Sequence, residues 1–133
     1  MKNYAIGNDG EVDFPLDPNG SGGSSVYSAE GKKTMNVKSK SIHTILNEFN
    51  LNEPYLLDLD IKGKEFETIN DASISKFKMV RIEYEPRMGE QYLGTREELL
   101  RKLSEYDFKK IRIFKHNGGL YDLIDHGTIE AKK

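Results

Sequence analysis

The feature that most constrains this chain is an alternation of helical and extended patterns that begins at residue 39. The order along the chain is helix, strand, helix, strand, helix, strand, strand. Neighbouring strands that run in the same direction need a crossover connection, and a helix usually provides it. The alternation therefore predicts an α/β fold, with a mostly parallel sheet, covering helices and a C-terminal antiparallel hairpin.

Apolar spacing predicts three helices. The first has apolar residues at i, i+3, i+4 and i+7, and Ser39 or Ser41 would cap its start. This apolar face consists of Ile42, Ile45, Leu46 and Phe49. A second helix is predicted over residues 64–74, with its apolar side chains directed inward. Thr95 and Glu98 have the spacing of a capping box, which marks the start of the third helix.

Alternation of apolar and polar residues predicts the strands of this core. Those strands are 55–61, 78–85 and 109–114. Residues 117–119, Asn-Gly-Gly, favour a tight turn, after which residues 120–124 would pair back as the second strand of the hairpin. The tail from Glu130 is predicted to fray.

The first third of the chain is predicted to contain short strands, near residues 4–6 and 11–16. Pro15 cannot donate a ladder hydrogen bond, so its strand should lie at a sheet edge or end near it. Residues 17–25 are rich in glycine and serine, a composition typical of flexible loops.

Length and composition limit the classes of protein that this chain can belong to. We expect one domain over all 133 residues, with 1–38 in short strands and loops and 39–133 as the α/β core. Cysteine is absent, which excludes disulfides and thiolate metal sites. The net charge of -2 argues against a nucleic-acid partner. No apolar run approaches the roughly 18 residues that cross a bilayer, so we expect no membrane span and a cytoplasmic protein.

Charged residues lie where two of the predicted strands end, and ligands of parallel sheets bind beyond these carboxyl ends. They comprise Asp58, Asp60, Lys62, Glu83, Glu85 and Arg87. The four carboxylates in this group suggest a site for a hard cation such as Mg²⁺, and the simpler alternative is that they are solvated charges at the strand ends. The three histidines lack zinc-ligand spacing, and we expect no metal.

Two segments resemble a known family. Residues 42–49, Ile-His-Thr-Ile-Leu-Asn-Glu-Phe, and residues 56–69, which contain Leu-Leu-Asp-Leu-Asp-Ile-Lys-Gly-Lys-Glu, are similar to the core of the FkbM-type methyltransferases. The looser likeness extends over nearly the whole chain. Asp60, Gly63 and Glu65 match the family motif, whereas Lys62 replaces its usual glutamate.

The resemblance implies a transferase that uses S-adenosylmethionine to methylate an oxygen of a hydroxylated small molecule or sugar. Asp60 would be its catalytic residue, near the acceptor hydroxyl, although an aspartate before a helix can also serve as a cap. The implied acceptor-binding residues are Lys62, Gly63, Glu65 and Glu83. Glu65 has a structural alternative, because a negative charge suits the start of a helix.

The resemblance also implies that the chain corresponds to the later half of a class I, Rossmann-like methyltransferase fold. No strand–turn–helix cradle for a cofactor is evident, and the glycine-rich stretch at residues 20–25 lacks that context. The domain would then be inactive alone. The alternative is a non-catalytic binding or assembly module derived from a methyltransferase.

An isolated later half would leave the strand at 55–61 at the edge of its sheet. An apolar edge strand offers unpaired backbone groups to another chain. Leu57, Leu59 and Ile61 would form the contact surface. The expected partner is a second copy of this chain or an N-terminal half-domain.

Overall fold

The computed structural model describes residues 3–16, 33–88, 90–116 and 126–133. The first part of the chain holds β1 (Ala5–Ile6), β2 (Gly10–Pro15), β3 (Thr34–Lys40) and α1 (Ile42–Glu48). Next come β4 (Leu56–Leu59), α2 (Glu65–Thr68), a 3-10 helix (Ala72–Lys76) and β5 (Met79–Tyr84). The last part holds β6 (Arg87–Met88), β7 (Gln91–Tyr92), α3 (Arg96–Glu105), β8 (Lys110–Lys115) and β9 (Gly127–Lys132). The predicted loop at 17–25 and the predicted strand at 120–124 lie outside the described residues.

The N-terminal strands form a small sheet in the order β1-β3-β2. β1 runs parallel to β3, and β2 runs antiparallel to it. Pro15 is the last residue of β2 and pairs with Thr34, so the missing N–H lies at the end of an edge strand, as predicted.

The main sheet has the strand order β4-β5-β9-β8. β4 and β5 are parallel, whereas β9 is antiparallel to both of its neighbours. The prediction of an α/β fold is confirmed, but the prediction of a mostly parallel sheet is wrong. Two of the three strand pairings are antiparallel because β9 runs in the opposite direction and lies between β5 and β8. The other three strands, β4, β5 and β8, still run in the same direction.

The C-terminal tail corrects a second prediction. Instead of fraying, residues 127–132 form β9, which is hydrogen-bonded on both sides. Ile129 and Ala131 are fully buried within it. Only these two apolar residues alternate with polar ones, which is a weak strand pattern, and pairing with β5 and β8 stabilises the strand.

The predicted helix over 64–74 is divided in two. α2 is a single turn, and a 3-10 helix follows it. Asp71 begins the second element because its side chain accepts the Ser73 N–H at 2.9 Å, and this local bond competes with a continuous helix. The capping box of α3 is confirmed, with Thr95 and Glu98 each accepting the other's backbone N–H.

The core lies between the main sheet and the helices that cover it. β5 contributes Val80 and Ile82, and α3 contributes Leu99 and Leu103, all four without exposed surface. Phe49, by contrast, ends α1 and is exposed, so the predicted apolar face of α1 is shorter than its spacing suggests. None of the helices in the described ranges is long and apolar enough to span a membrane.

β4 lies at one edge of the main sheet, as expected, and pairs only with β5 among the described strands. The residues expected to form its contact surface are not exposed: Leu59 is 1% exposed, and Leu57 and Ile61 pack against the core. Tyr55 and Leu56 are exposed there instead.

Candidate functional site

A cavity of about 220 Å³ opens at the carboxyl ends of β4, β5 and β8. The topology brings together residues that are more than 60 positions apart in the sequence. The cavity is lined by Asp60, Lys62, Glu65, Glu83, Tyr84, Glu85, His116 and His126. Asp60 and three of the four implied acceptor-binding residues are in this group, whereas Gly63 is not part of the lining.

Lys62 joins the two strand ends electrostatically. Its Nζ atom lies 2.9 Å from Oδ1 of Asp60 and 3.3 Å from Oε1 of Glu83. The Asp60 hydrogen bond is the largest cause that raises the pKa of Lys62, with both carboxylates adding charge attraction. Lys62 therefore stays cationic and partly neutralises the acidic wall of the cavity.

Glu65 holds the turn that presents Lys62. The Glu65 carboxylate is completely buried and accepts the backbone N–H groups of Ile61 at 3.0 Å and Gly63 at 2.8 Å. Burial raises the pKa of Glu65, while these hydrogen bonds oppose that rise. The geometry gives Glu65 a structural function in shaping the cavity wall.

The same turn has an unusual backbone. Lys62 has φ +48° and Gly63 has φ +100°. The first value is disfavoured for any residue with a Cβ atom. Two consecutive positive φ angles reverse the chain between β4 and α2, and this reversal directs the Lys62 side chain back over the ends of β4 and β5.

Asp60 does not act as a helix cap. The residue at the N-cap position of α2 is Lys64, and it makes no capping hydrogen bond through its side chain. The Asp60 side chain is instead 52% exposed and paired with Lys62 at the cavity. The capping alternative for Asp60 is therefore wrong, and its carboxylate is exposed to solvent at the cavity.

The structure separates Asp58 from the other three carboxylates that suggested a cation site. Asp58 faces Arg81 on the neighbouring strand, with 2.9 Å between Oδ2 and Nη1, and does not line the cavity. Over the residues that the structure describes, no group of three or more His, Asp and Glu side chains is arranged to hold a metal ion.

His116 and His126 are the site residues that sequence reasoning missed. Their rings pack edge to face with centroids 5.4 Å apart. The backbone N–H of His116 donates to the carbonyl of His126 at 3.2 Å, which extends the β8–β9 ladder by one pair. The only sequence signal is that each histidine flanks one strand of a hairpin, and the position of β9 was not recognised.

Binding of S-adenosylmethionine at this cavity would require a cradle for the cofactor. A cradle for such a cofactor requires backbone N–H groups that point at the ligand. In the β4–α2 turn, the amides of Ile61 and Gly63 are already bonded to Glu65, and α2 is only four residues long. The β4–α2 turn therefore does not provide such a cradle.

The fold is a mixed α/β domain, and its polar cavity lies at the carboxyl ends of the three strands that run in the same direction. The family model for the methyltransferase FkbM domain matches residues 3–112. The chain belongs to this family, because the match covers most of its length. No curated protein and no solved structure matches the sequence significantly.

Proposed function

We propose that this domain binds the methyl acceptor of an FkbM-like, S-adenosylmethionine-dependent O-methyltransferase. The acceptor is a hydroxylated small molecule or a sugar. Family membership supports the reaction class. The observation that carries the proposal is the cavity in which the motif residue Asp60 meets Lys62 and Glu83.

Asp60 would accept a hydrogen bond from the acceptor hydroxyl. The ion pair with Lys62 holds this carboxylate at the cavity, where it would bind the hydroxyl or act as its general base. Lys62 and Glu83 would fix the position of Asp60. Glu65 and Gly63 would maintain the turn on which Lys62 stands.

We further propose that the domain corresponds to the later half of a class I methyltransferase fold and is inactive alone. The bonded amides of the β4–α2 turn support this, since they leave that turn without a cofactor cradle. An N-terminal half-domain that supplies the cradle would join at β4, an edge strand that pairs only with β5 among the described strands.

The experiment compares two preparations of the same full chain. One is the recombinant protein alone, and the other is tagged protein isolated under mild conditions from its own cells. Each is titrated calorimetrically with S-adenosylmethionine and S-adenosylhomocysteine. Each is also assayed for transfer of labelled methyl to a panel of sugars and polyols. We expect binding and transfer only in the native preparation, and transfer should be lost in Asp60→Ala and retained in Asp58→Ala.

Two other results would contradict parts of this proposal. Saturable cofactor binding by the recombinant chain would show that it is not inactive alone. Absence of binding and transfer in both preparations would contradict the methyltransferase function and favour the alternative, a non-catalytic assembly module.

The alternative has its own structural support at the β4 edge. Tyr55 and Leu56 expose apolar surface there, and Asp58 is the one charged residue of β4. The opposite edge, β8, carries Lys110, Arg112 and Lys115, and basic residues of this kind discourage strand pairing. In this second function, β4 pairs with β4 of a second copy of this chain.

A further inference from the structure

His116 and His126 occupy the wall of the cavity that faces the acidic strand ends. Both line the same cavity as Asp60, Glu83 and Glu85. They flank β8 and β9, whereas Asp60 follows β4, Glu83 lies near the end of β5 and Glu85 follows it. The cavity is therefore a cleft at the end of the four-stranded sheet, with the two imidazoles on the β9–β8 side and the carboxylates on the β4–β5 side.

The His116 ring has a defined orientation. Its Nε2 atom lies 3.0 Å from the hydroxyl oxygen of Thr128, a residue with only 6% exposure. The edge-to-face contact with His126 constrains the plane of the ring. A ring fixed through Nε2 uses Nδ1 as its second polar atom, and a neutral imidazole can donate or accept through that atom.

The charges of the lining limit the ligands that fit. The lining has four carboxyl groups, those of Asp60, Glu65, Glu83 and Glu85, against the single ammonium group of Lys62. Lys62 is already engaged by two of these carboxylates. An anionic ligand would therefore meet a net negative wall, whereas neutral hydroxyl groups can exchange hydrogen bonds with both sides of the cleft.

We propose that His116 and His126 form the hydroxyl-binding wall of this cleft, and that the cleft takes uncharged hydroxylated ligands and rejects anionic ones such as sugar phosphates. This rests on the proposed function for the class of acceptor. The proposal adds two binding residues, one beside β8 and one beside β9, and it states which ligand charge the cleft excludes.

The chain offers an internal control for the test, because it has three histidines and only two of them line the cleft. His43 lies on α1, where its Nδ1 atom is 3.1 Å from the Ser73 hydroxyl. The imidazole Hε1 signals of the full chain are followed by NMR at pH 7.5 while glucose, myo-inositol or glucose 6-phosphate is added.

With glucose or myo-inositol, we expect saturable shifts of the His116 and His126 signals and none of the His43 signal. Glucose 6-phosphate should bind at least tenfold more weakly than glucose. His116→Gln should weaken glucose binding about 3- to 10-fold, the size of one lost hydrogen bond, and His43→Gln should not. Glu85→Gln should reduce the difference in affinity between glucose and glucose 6-phosphate. Glu53→Gln, which removes the same charge at the amino end of β4, should leave that preference unchanged.

The proposal is overturned if neither neutral ligand shifts the two signals, if His43 shifts equally, or if glucose 6-phosphate binds as tightly as glucose. The sugar titrations are carried out without any cofactor. A failure of S-adenosylmethionine to bind the native preparation contradicts the methyltransferase function and leaves the sugar titration interpretable.

Discussion

The carboxylate of Glu65 accepts the backbone N–H of Gly63 at 2.8 Å, and this hydrogen bond ties the first residue of α2 to the turn before it. A second bond, from the N–H of Ile61, uses the other oxygen. One buried side chain thus fixes the loop that carries Lys62. The motif residues Gly63 and Glu65 form a structural unit on which the cavity depends.

Glu65→Gln should destabilise the domain by about 1–3 kcal/mol at low pH. The amide nitrogen of glutamine cannot accept, so one of the two buried N–H groups loses its partner, whereas both oxygens of a protonated carboxyl group keep acceptor capacity. Urea unfolding of the two proteins measures the difference. Glu67→Gln, on the same helix turn but partly exposed, is the matched control and should change the free energy of unfolding much less.

The same pair of proteins gives a prediction for pH dependence. Burial raises the pKa of Glu65 above its ordinary value of 4.5, so the folded state keeps the proton to a higher pH than the unfolded state. The contribution of Glu65 to the free energy of unfolding is therefore complete below pH 4.5, and it declines as the pH rises toward the pKa of the folded state. The stability advantage of the parent over Glu65→Gln should shrink from pH 4.5 upward, and an advantage that grows would contradict this assignment.

Lys62 permits a test of backbone strain. Lys62→Ala and Lys62→Gly both remove the bridge between Asp60 and Glu83, but only glycine relieves the positive φ of +48°. We expect the glycine variant to be more stable than the alanine variant by about 1 kcal/mol. Thermal unfolding of both variants checks this order, and equal stabilities would mean that the turn relaxes when the bridge is lost.

Gly127→Ala should disturb the histidine side of the cleft. A Cβ at this position would meet the backbone carbonyl of Phe114 and come within 3.1 Å of Cα of Lys115. Since backbone cannot move aside cheaply, β8 and β9 must separate locally, at a cost of about 1–3 kcal/mol.

The readout for Gly127→Ala combines urea unfolding with the Hε1 signals of His116 and His126, which should both move. Gly10→Ala serves as a comparison, because its own Cβ would meet nothing within 4 Å, although its φ of +145° disfavours alanine. Unchanged histidine signals in Gly127→Ala would contradict the close approach of the two strands.

If β4 pairs with a second copy, Leu56→Lys should shift the chain toward the monomer. A lysine on an edge strand is disfavoured in a strand–strand interface. Sedimentation velocity over a wide concentration range gives the dissociation constant, which should increase at least tenfold. Met35→Lys, an equally exposed apolar residue on the small sheet, should have no such effect. A parent protein that stays monomeric at every concentration would eliminate this interface.

Local sequence signals were sufficient where one short-range interaction decides the structure. The capping box of Thr95 and Glu98 places the start of α3 correctly, and Ser41 caps α1 as predicted. The alternation over 78–85 places β5. In each of these segments, the propensity, the pattern and the cap all favour the same element.

The sequence by itself determined the α/β class, the capped helices, the edge position of β4 and the family motif at Asp60, Gly63 and Glu65. Only the tertiary structure decided that the C-terminal residues become a central strand and that His116 and His126 meet opposite Asp60. Strand order and direction depend on pairing between distant segments and on burial in a shared core, and neither leaves a periodic signal in the residues themselves.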